Sequence, residues 1–327
     1  MQKLFFIITL IICSLCSHSQ NYIEYARIKY LAKEALIDEN PQKAAIYYDS
    51  LYNNFNFMYA YDCFTALKVA VKNNDSLKAK KFLLKSIEMG VPVKMIDNNY
   101  FISKNLKFNL WKNVSQNCID SLRTIYENRI DYEMIVKIDS MAMLDQTATK
   151  KVNKSNLYNS KWRKQVTKNA KLLKEIVKSY GMPEEKLLGI EEKYNKSGKI
   201  VENNEPNRGA SYIFLIHYFS NPVDDLYEWK NLLLTEVKKG NLQPYQFGAI
   251  CDFIAKYSIK GDITGKDGKF YSVWHYDPKP VRINEVNKRR EELGLPNFNY
   301  NLKYEKYRIS FYNNHKNDSV IFISEWD

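Results

Sequence analysis

Apolar residues recur along most of this chain at intervals of three and four, the spacing that places side chains on one face of an α-helix. Tyr25, Ile28, Leu31, Ala32 and Ala35 form one such face, and Ala60, Cys63, Ala66, Leu67 and Ala70 form another. Val166, Ala170, Leu173, Val177 and Tyr180 form a third, followed at once by Gly181, a helix stop. Leu226, Trp229, Leu233 and Val237 lead to Lys238-Lys239-Gly240, and Phe247, Ile250, Cys251 and Ile254 repeat the pattern after Pro244. The densest stretch is Ser211–Ser220, SYIFLIHYFS, whose unbroken apolarity predicts a helix buried on all sides. It falls short of the roughly 20 apolar residues that cross a bilayer, and Asn221-Pro222 ends it. Ile283–Leu293 predicts a last helix, closed by Gly294-Leu295-Pro296. Strict alternation occurs only in YRISFY and SVIFISEW, on either side of Asn313–Asp318, which predicts a β-hairpin over residues 304–327. The fold class expected is mainly α, with that short C-terminal hairpin.

The first two faces lie about 35 residues apart, and so do the segments that follow them: Asn40, Ala44 and Tyr47 align with Asp75, Ala79 and Phe82. Asn40-Pro41 and Asp75-Ser76 supply a cap between the helices of each pair, and the small Ala44 and Ala79 allow close helix approach. Asn21–Gly90 therefore resembles a pair of tetratricopeptide repeats, without the tryptophan and glycine of that consensus. The resemblance implies a module over residues 20–115 that binds a protein or peptide partner. A helical array that only props up the next domain is the alternative. Residues 116–303 read as a second helical domain.

The N-terminus sets the compartment. Lys3, the apolar run Leu4–Leu15 and Ser17-His18-Ser19 form a secretory signal peptide over residues 1–19, so the mature chain is expected to begin at Gln20, in the periplasm or outside the cell. Cys13 and Cys16 lack the small residue that a lipid-anchor signal places ahead of its cysteine, which disfavours an anchor. No later stretch predicts a transmembrane segment. Cys63, Cys118 and Cys251 are too few and too scattered for a disulfide framework or a metal site, so no metal and no cofactor is expected. The formal net charge of +12 is carried mostly by lysines spread through amphipathic helices. That distribution reads as solvated surface, with anionic glycans or membranes as a weaker option and nucleic acid not indicated.

Candidate chemistry falls in the second domain. Ile135, Ile138 and Met141 place Asp145 on the buried face of a helix, where a carboxylate needs a partner or serves as an acid-base group. His217, in the apolar helix, is either a hydrogen-bonded core histidine or the floor of a pocket. Asp252 lies one step off its helix face. Residues 261–280 change character to turn formers and aromatics, among them Tyr271, Trp274 and His275, and loop aromatics are stronger functional hints than core ones. Gln146 beside Asp145, and Arg289 and Arg290 near the end of their helix, are further ligand-binding candidates, although two arginines in a last turn also suit the helix dipole.

The order Asp145-Gln146, Gly181-Met182-Pro183, His217, Asp252, Tyr271 and Arg289-Arg290 to Gly294-Leu295 is similar to an uncharacterised bacterial domain family, over about residues 135–304. That family runs Asp-Gln-x-x-Arg, Gly-x-Pro, Gln-His, Asp-Arg, Tyr-Gly-Thr-Gln and Arg-Arg-x-x-x-Gly-Leu. Here its first arginine is Thr149, its glutamine Ile216, its second arginine Phe253, and Tyr-Gly-Thr-Gln reads Tyr271-Ser272-Val273-Trp274. The expected function is an exported partner- or ligand-binding protein of the bacterial envelope. The alternative is a hydrolase-type enzyme whose pocket gathers Asp145, His217, Asp252 and Tyr271, degenerate if the lost polar groups matter. Whether the chain is an enzyme stays open on the sequence. Convergence of those four side chains would favour the enzyme, and their dispersal the binder.

Overall fold

The structure, a computed structural model, describes residues 20–152, 157–190, 210–221, 223–257, 271, 273 and 283–313. The leader expected over residues 1–19, Trp274, His275 and most of the 261–280 loop lie outside them. The chain is mainly α, with fifteen helices and no strand among the described residues.

The first four helices are α1 (Tyr22–Ile37), α2 (Pro41–Asn54), α3 (Ala60–Lys72) and α4 (Ser76–Glu88). The turns inside the two pairs are near copies. Glu39 and Asn74 both sit at φ 55°. Asn40 N–H donates to the Ala35 carbonyl at 2.8 Å, and Asp75 N–H donates to Ala70 at 3.0 Å. Asn40 and Asp75 then cap the next helix through the backbone N–H groups of Lys43 and Lys78. Each turn thus closes the orphan carbonyls of one helix and the orphan amides of the next. Ala44 and Ala79 have no exposed surface, as expected for residues at a helix crossing. Two short helices, α5 (Val93–Asp97) and α6 (Tyr100–Asn105), lead to α7 (Gln116–Arg129), whose Tyr126 joins the same apolar core.

A second core is built by α8 (Tyr132–Val152), α9 (Leu157–Tyr180), the single turn α10 (Glu185–Leu188), α11 (Ala210–Phe219), α12 (Leu226–Lys239) and α13 (Pro244–Tyr257). Its centre is Phe214, Leu215 and Phe219 of α11 against Leu173, Trp229, Leu233 and Ile250. The two cores meet along α1, which gives Tyr22 and Tyr25 to the first and Ile23 to the second. Two glycines make that meeting possible. Gly240 closes α12 at φ 74°, and any Cβ there would enter the Tyr22 ring. Gly294 closes α14 (Ile283–Glu292) at φ 70°, and a Cβ there would run into the Ile23 carbonyl of α1.

Two expectations are corrected. The segment expected to form the first hairpin strand, YRISFY, lies in α15 (Phe298–Asn313); SVIFISEW is outside the described residues. Tyr300 and Tyr304 are buried and stacked with ring centroids 6.3 Å apart, and Tyr300 meets Tyr30 of α1 edge to face. Burying aromatics at helical spacing against α1 outweighs the strand preference of the local sequence. The helix at Ser211–Ser220 is also not enclosed all round: it packs on α8, α9 and α13, yet Ile213 is 38 % exposed. No helix of the described residues is long and apolar enough to cross a membrane.

Candidate functional site

Asp145 and His217 meet. Asp145 stands on the inner face of α8 with no exposed surface, below Ile138 and Met141 at the spacing that buries one helix face. His217 projects from α11 across it, and its Nδ1 lies 2.7 Å from Asp145 Oδ2. A carboxylate that accepts from Nδ1–H fixes the tautomer whose Nε2 lone pair points away from the pair. The imidazole keeps 21 % of its surface, so the contact joins an enclosed acid to a ring that reaches the outside. Asp145 Oδ1 is buried and has no hydrogen-bond partner among the described residues.

Trp162 of α9 completes the surroundings, its ring centroid 6.0 Å from that of His217 in an edge-to-face arrangement. Its Nε1–H donates to Thr149 Oγ1 at 3.2 Å, and Thr149 donates in turn to the Asp145 backbone carbonyl at 2.9 Å. Thr149 therefore ties the tryptophan to the helix turn that carries the acid. Two turns further along α9, Asn169 donates to the Met141 carbonyl at 3.3 Å. The sequence reading missed Trp162, although its place four residues before Val166, on the buried face of α9, was a usable signal; Thr149 carried none.

The other candidates do not join this pair. Asp252 is fully buried on α13, and its two oxygens accept the backbone N–H groups of Tyr271 and Val273, each at 2.6 Å. Tyr271 is buried against Phe247, and that burial, the largest influence on its phenol, raises the pKa well above the ordinary value. Arg290 is buried too, and donates to the carbonyls of Pro296 and Tyr271 and to Asn301 Oδ1 at 2.6, 3.3 and 2.9 Å. Asp252 and Arg290 thus form a clasp that holds Tyr271 and Val273 between α13 and α14. Gln146 faces solvent, and Arg289 pairs with Glu285 of its own helix at 3.3 Å. Trp274 and His275 lie outside the described residues.

A second buried polar cluster, which the sequence did not suggest, lies in the seam between the two cores. Tyr25 donates to Asp62 Oδ2 at 2.7 Å, and the Lys29 ammonium lies 3.5 Å from Asp62 Oδ1 and 3.3 Å from Gln243 Oε1. Glu185 Oε1 accepts the N–H of Ala60, the first residue of α3, at 2.6 Å, and Glu184 accepts from Gln246 at 3.2 Å. Burial pushes the Glu184 carboxyl up to about 8, with the neighbouring Glu185 charge adding to it, and pushes Glu185 up to about 7. Pro183-Glu184-Glu185 carries the residue types of an acidic helix start. Its glutamates instead turn inward to meet donors from α3 and α13. This cluster spans both modules with side chains enclosed on every side, so it works as a joint.

No family model, no curated protein and no solved structure matches this chain.

Proposed function

We propose that the chain is an exported protein of the bacterial envelope that binds a ligand at the His217 edge of its second module. The observation that carries this reading is the half-open imidazole: Asp145 holds one nitrogen, and the other faces outward beside the Trp162 ring. A polar atom of fixed direction next to an aromatic surface is how ligand sites combine orientation with contact area. Dispersal of the four acid-base candidates favours binding over turnover, since Asp252 and Tyr271 are committed to the backbone clasp. Partner capture by the repeat-like helices has less support than the sequence suggested. The side of α1 and α3 that bears Tyr25, Lys29, Tyr59 and Asp62 is covered by α12, α13 and the Glu184-Glu185 turn of the same chain. That array serves the second module as its support. The signal peptide and the resemblance to the uncharacterised domain family belong to the same proposal.

The test is retention of compounds from an envelope extract by the mature protein, read by mass spectrometry, against Trp162→Ala and His217→Ala. A compound held by the wild type and lost from both variants, with circular dichroism unchanged, is the expected result. Equal retention by all three proteins removes the site.

The 2.7 Å contact favours a second reading, a hydrolase-type enzyme in which Nε2 of His217 takes a proton from water or a substrate hydroxyl while Asp145 steadies the ring. Hydrolysis of a panel of p-nitrophenyl esters and phosphates, abolished in His217→Ala, would support it. Rates no higher than those of His217→Ala would end it.

A further inference from the structure

α9 carries its charges on two sides that the fold treats differently. Lys174 pairs with Asp225 at 2.6 Å and Glu228 at 2.9 Å, and Lys178 pairs with Glu228 at 2.8 Å. These two lysines fasten α9 to α12, and their charges hold Glu228 down at about 2. Arg163, Lys164, Lys168 and Lys171 form no ion pair or hydrogen bond among the described residues, and all four are exposed. They line a shallow cleft of about 590 Å³ together with Thr167, Leu172 and Glu175, so four cations face one anion there. The spacing of three and four puts these lining residues on the helix side opposite Val166, Ala170 and Leu173, and hence opposite Trp162 and His217. At about 1.5 Å rise per residue the cations run along ~12 Å of helix.

We propose that this cationic row is a docking surface for a linear acidic glycan, distinct from the His217 edge. Charge complementarity sets the sign of the partner, because like charges held side by side without counter-charges are relieved by an anion. The row and the cleft set its shape: successive cations along one helix match successive acid groups along a chain better than a single compact anion. A lipid bilayer is the poorer match. The apolar side of α9 is committed to the second core, which leaves Leu172 as the one apolar residue of the cleft and no surface to insert among acyl chains. An exported protein also meets acidic polysaccharide on arrival.

The experiment measures binding of a short oligouronate to the mature chain by isothermal titration, at low and at moderate salt. The wild type should bind, and should weaken steeply as salt rises. The variant Arg163→Gln/Lys164→Gln/Lys168→Gln/Lys171→Gln should lose about tenfold or more in affinity, as expected when several anion contacts vanish together. The control Lys43→Gln/Lys107→Gln/Lys112→Gln/Lys137→Gln removes the same charge from exposed sites elsewhere and should bind like the wild type. Equal loss in both variants would reduce the effect to net charge and overturn the proposal. So would no binding by the wild type, or binding to phosphatidylglycerol vesicles in place of the oligouronate. His217→Ala should bind the oligouronate normally, so this result and the one at the His217 edge stand or fall separately.

Discussion

The seam between the two cores and the His217 edge are both built on buried carboxylates, and they have opposite uses. At the seam, Asp62, Glu184 and Glu185 are enclosed by Tyr25, Tyr59, Lys29 and the amide donors of α3 and α13, so their chemistry is directed into the protein. At the edge, one enclosed acid grips a ring that still reaches the surface. Two carboxyl groups at the seam are pushed well upward, Glu184 to about 8 and Glu185 to about 7. A search guided by titration alone would stop there. Access, and not the size of a shift, separates a joint from a site: a perturbed group with no opening holds modules together.

The largest loss of stability is expected at the seam's backbone contact. Gly294→Ala must hold a left-handed φ of 70° and displace the Ile23 carbonyl, and should cost roughly 2–5 kcal/mol from the combined strain and overpacking. Chemical denaturation checks it, and an unchanged midpoint would mean that α14 does not rest on α1. Next come the helix crossings of the two N-terminal hairpins: Ala44→Leu and Ala79→Leu should each cost about 1–3 kcal/mol, by equivalent overpacking at equivalent points of the two hairpins. A loss at only one of them would argue that the two hairpins are not built alike.

The acids of the seam give a prediction in pH. Both glutamates have folded pKa values above the ordinary 4.5, so the folded state keeps protons that the unfolded chain gives up. Their contribution is therefore fully present below about 4.5 and is lost as pH rises through about 7 for Glu185 and about 8 for Glu184. The groups facing Glu185 are Asp62, which reinforces the shift, and Arg129 and Lys29, which oppose it; Glu184 is faced by Glu185 and Gln246. Glu184→Gln keeps the bond from Gln246 and removes the proton equilibrium, so it should gain about 1–2 kcal/mol over the wild type at pH 8 and little at pH 5. Thermal unfolding across that range decides it, and parallel curves for the two proteins would contradict the assignment. At the edge the effects on stability should be smallest. His217→Ala leaves Asp145 without its partner yet open to water through the vacated space, and should cost about 1 kcal/mol while removing ligand retention.

Much of this arrangement was legible in the sequence, and the failures have physical causes. Spacing placed Asp145 on a buried face, and the apolar run placed His217 in the same domain; burial then left few partners for either, which is why the pair could be anticipated. The two helical hairpins of residues 22–88 were readable because caps, small residues and apolar faces recur together at one offset. Asp252 and Tyr271 were misleading, since a buried acid that binds two backbone amides has the same residue type as a catalytic one, and only the positions of Tyr271 N and Val273 N tell them apart. Arg290 was similar: its role follows from Pro296, Tyr271 and Asn301, which sequence spacing does not bring together. The C-terminal hairpin failed because alternation is a local signal, whereas α15 is decided by Tyr300 and Tyr304 packing on the distant α1. The acidic turn at Glu184-Glu185 gives no local sign of its burial, because the donors it meets come from elsewhere in the chain.

The central claim is that Asp145 orients His217 and leaves Nε2 as the open atom. The nitrogen-15 spectrum of the imidazole side chains, assigned by comparison with His217→Ala, reads this directly. The account predicts that the neutral His217 ring is held as the Nδ1–H tautomer, with Nε2 the unprotonated nitrogen. An Nε2–H ring, or the averaged tautomers of a free histidine, would contradict it.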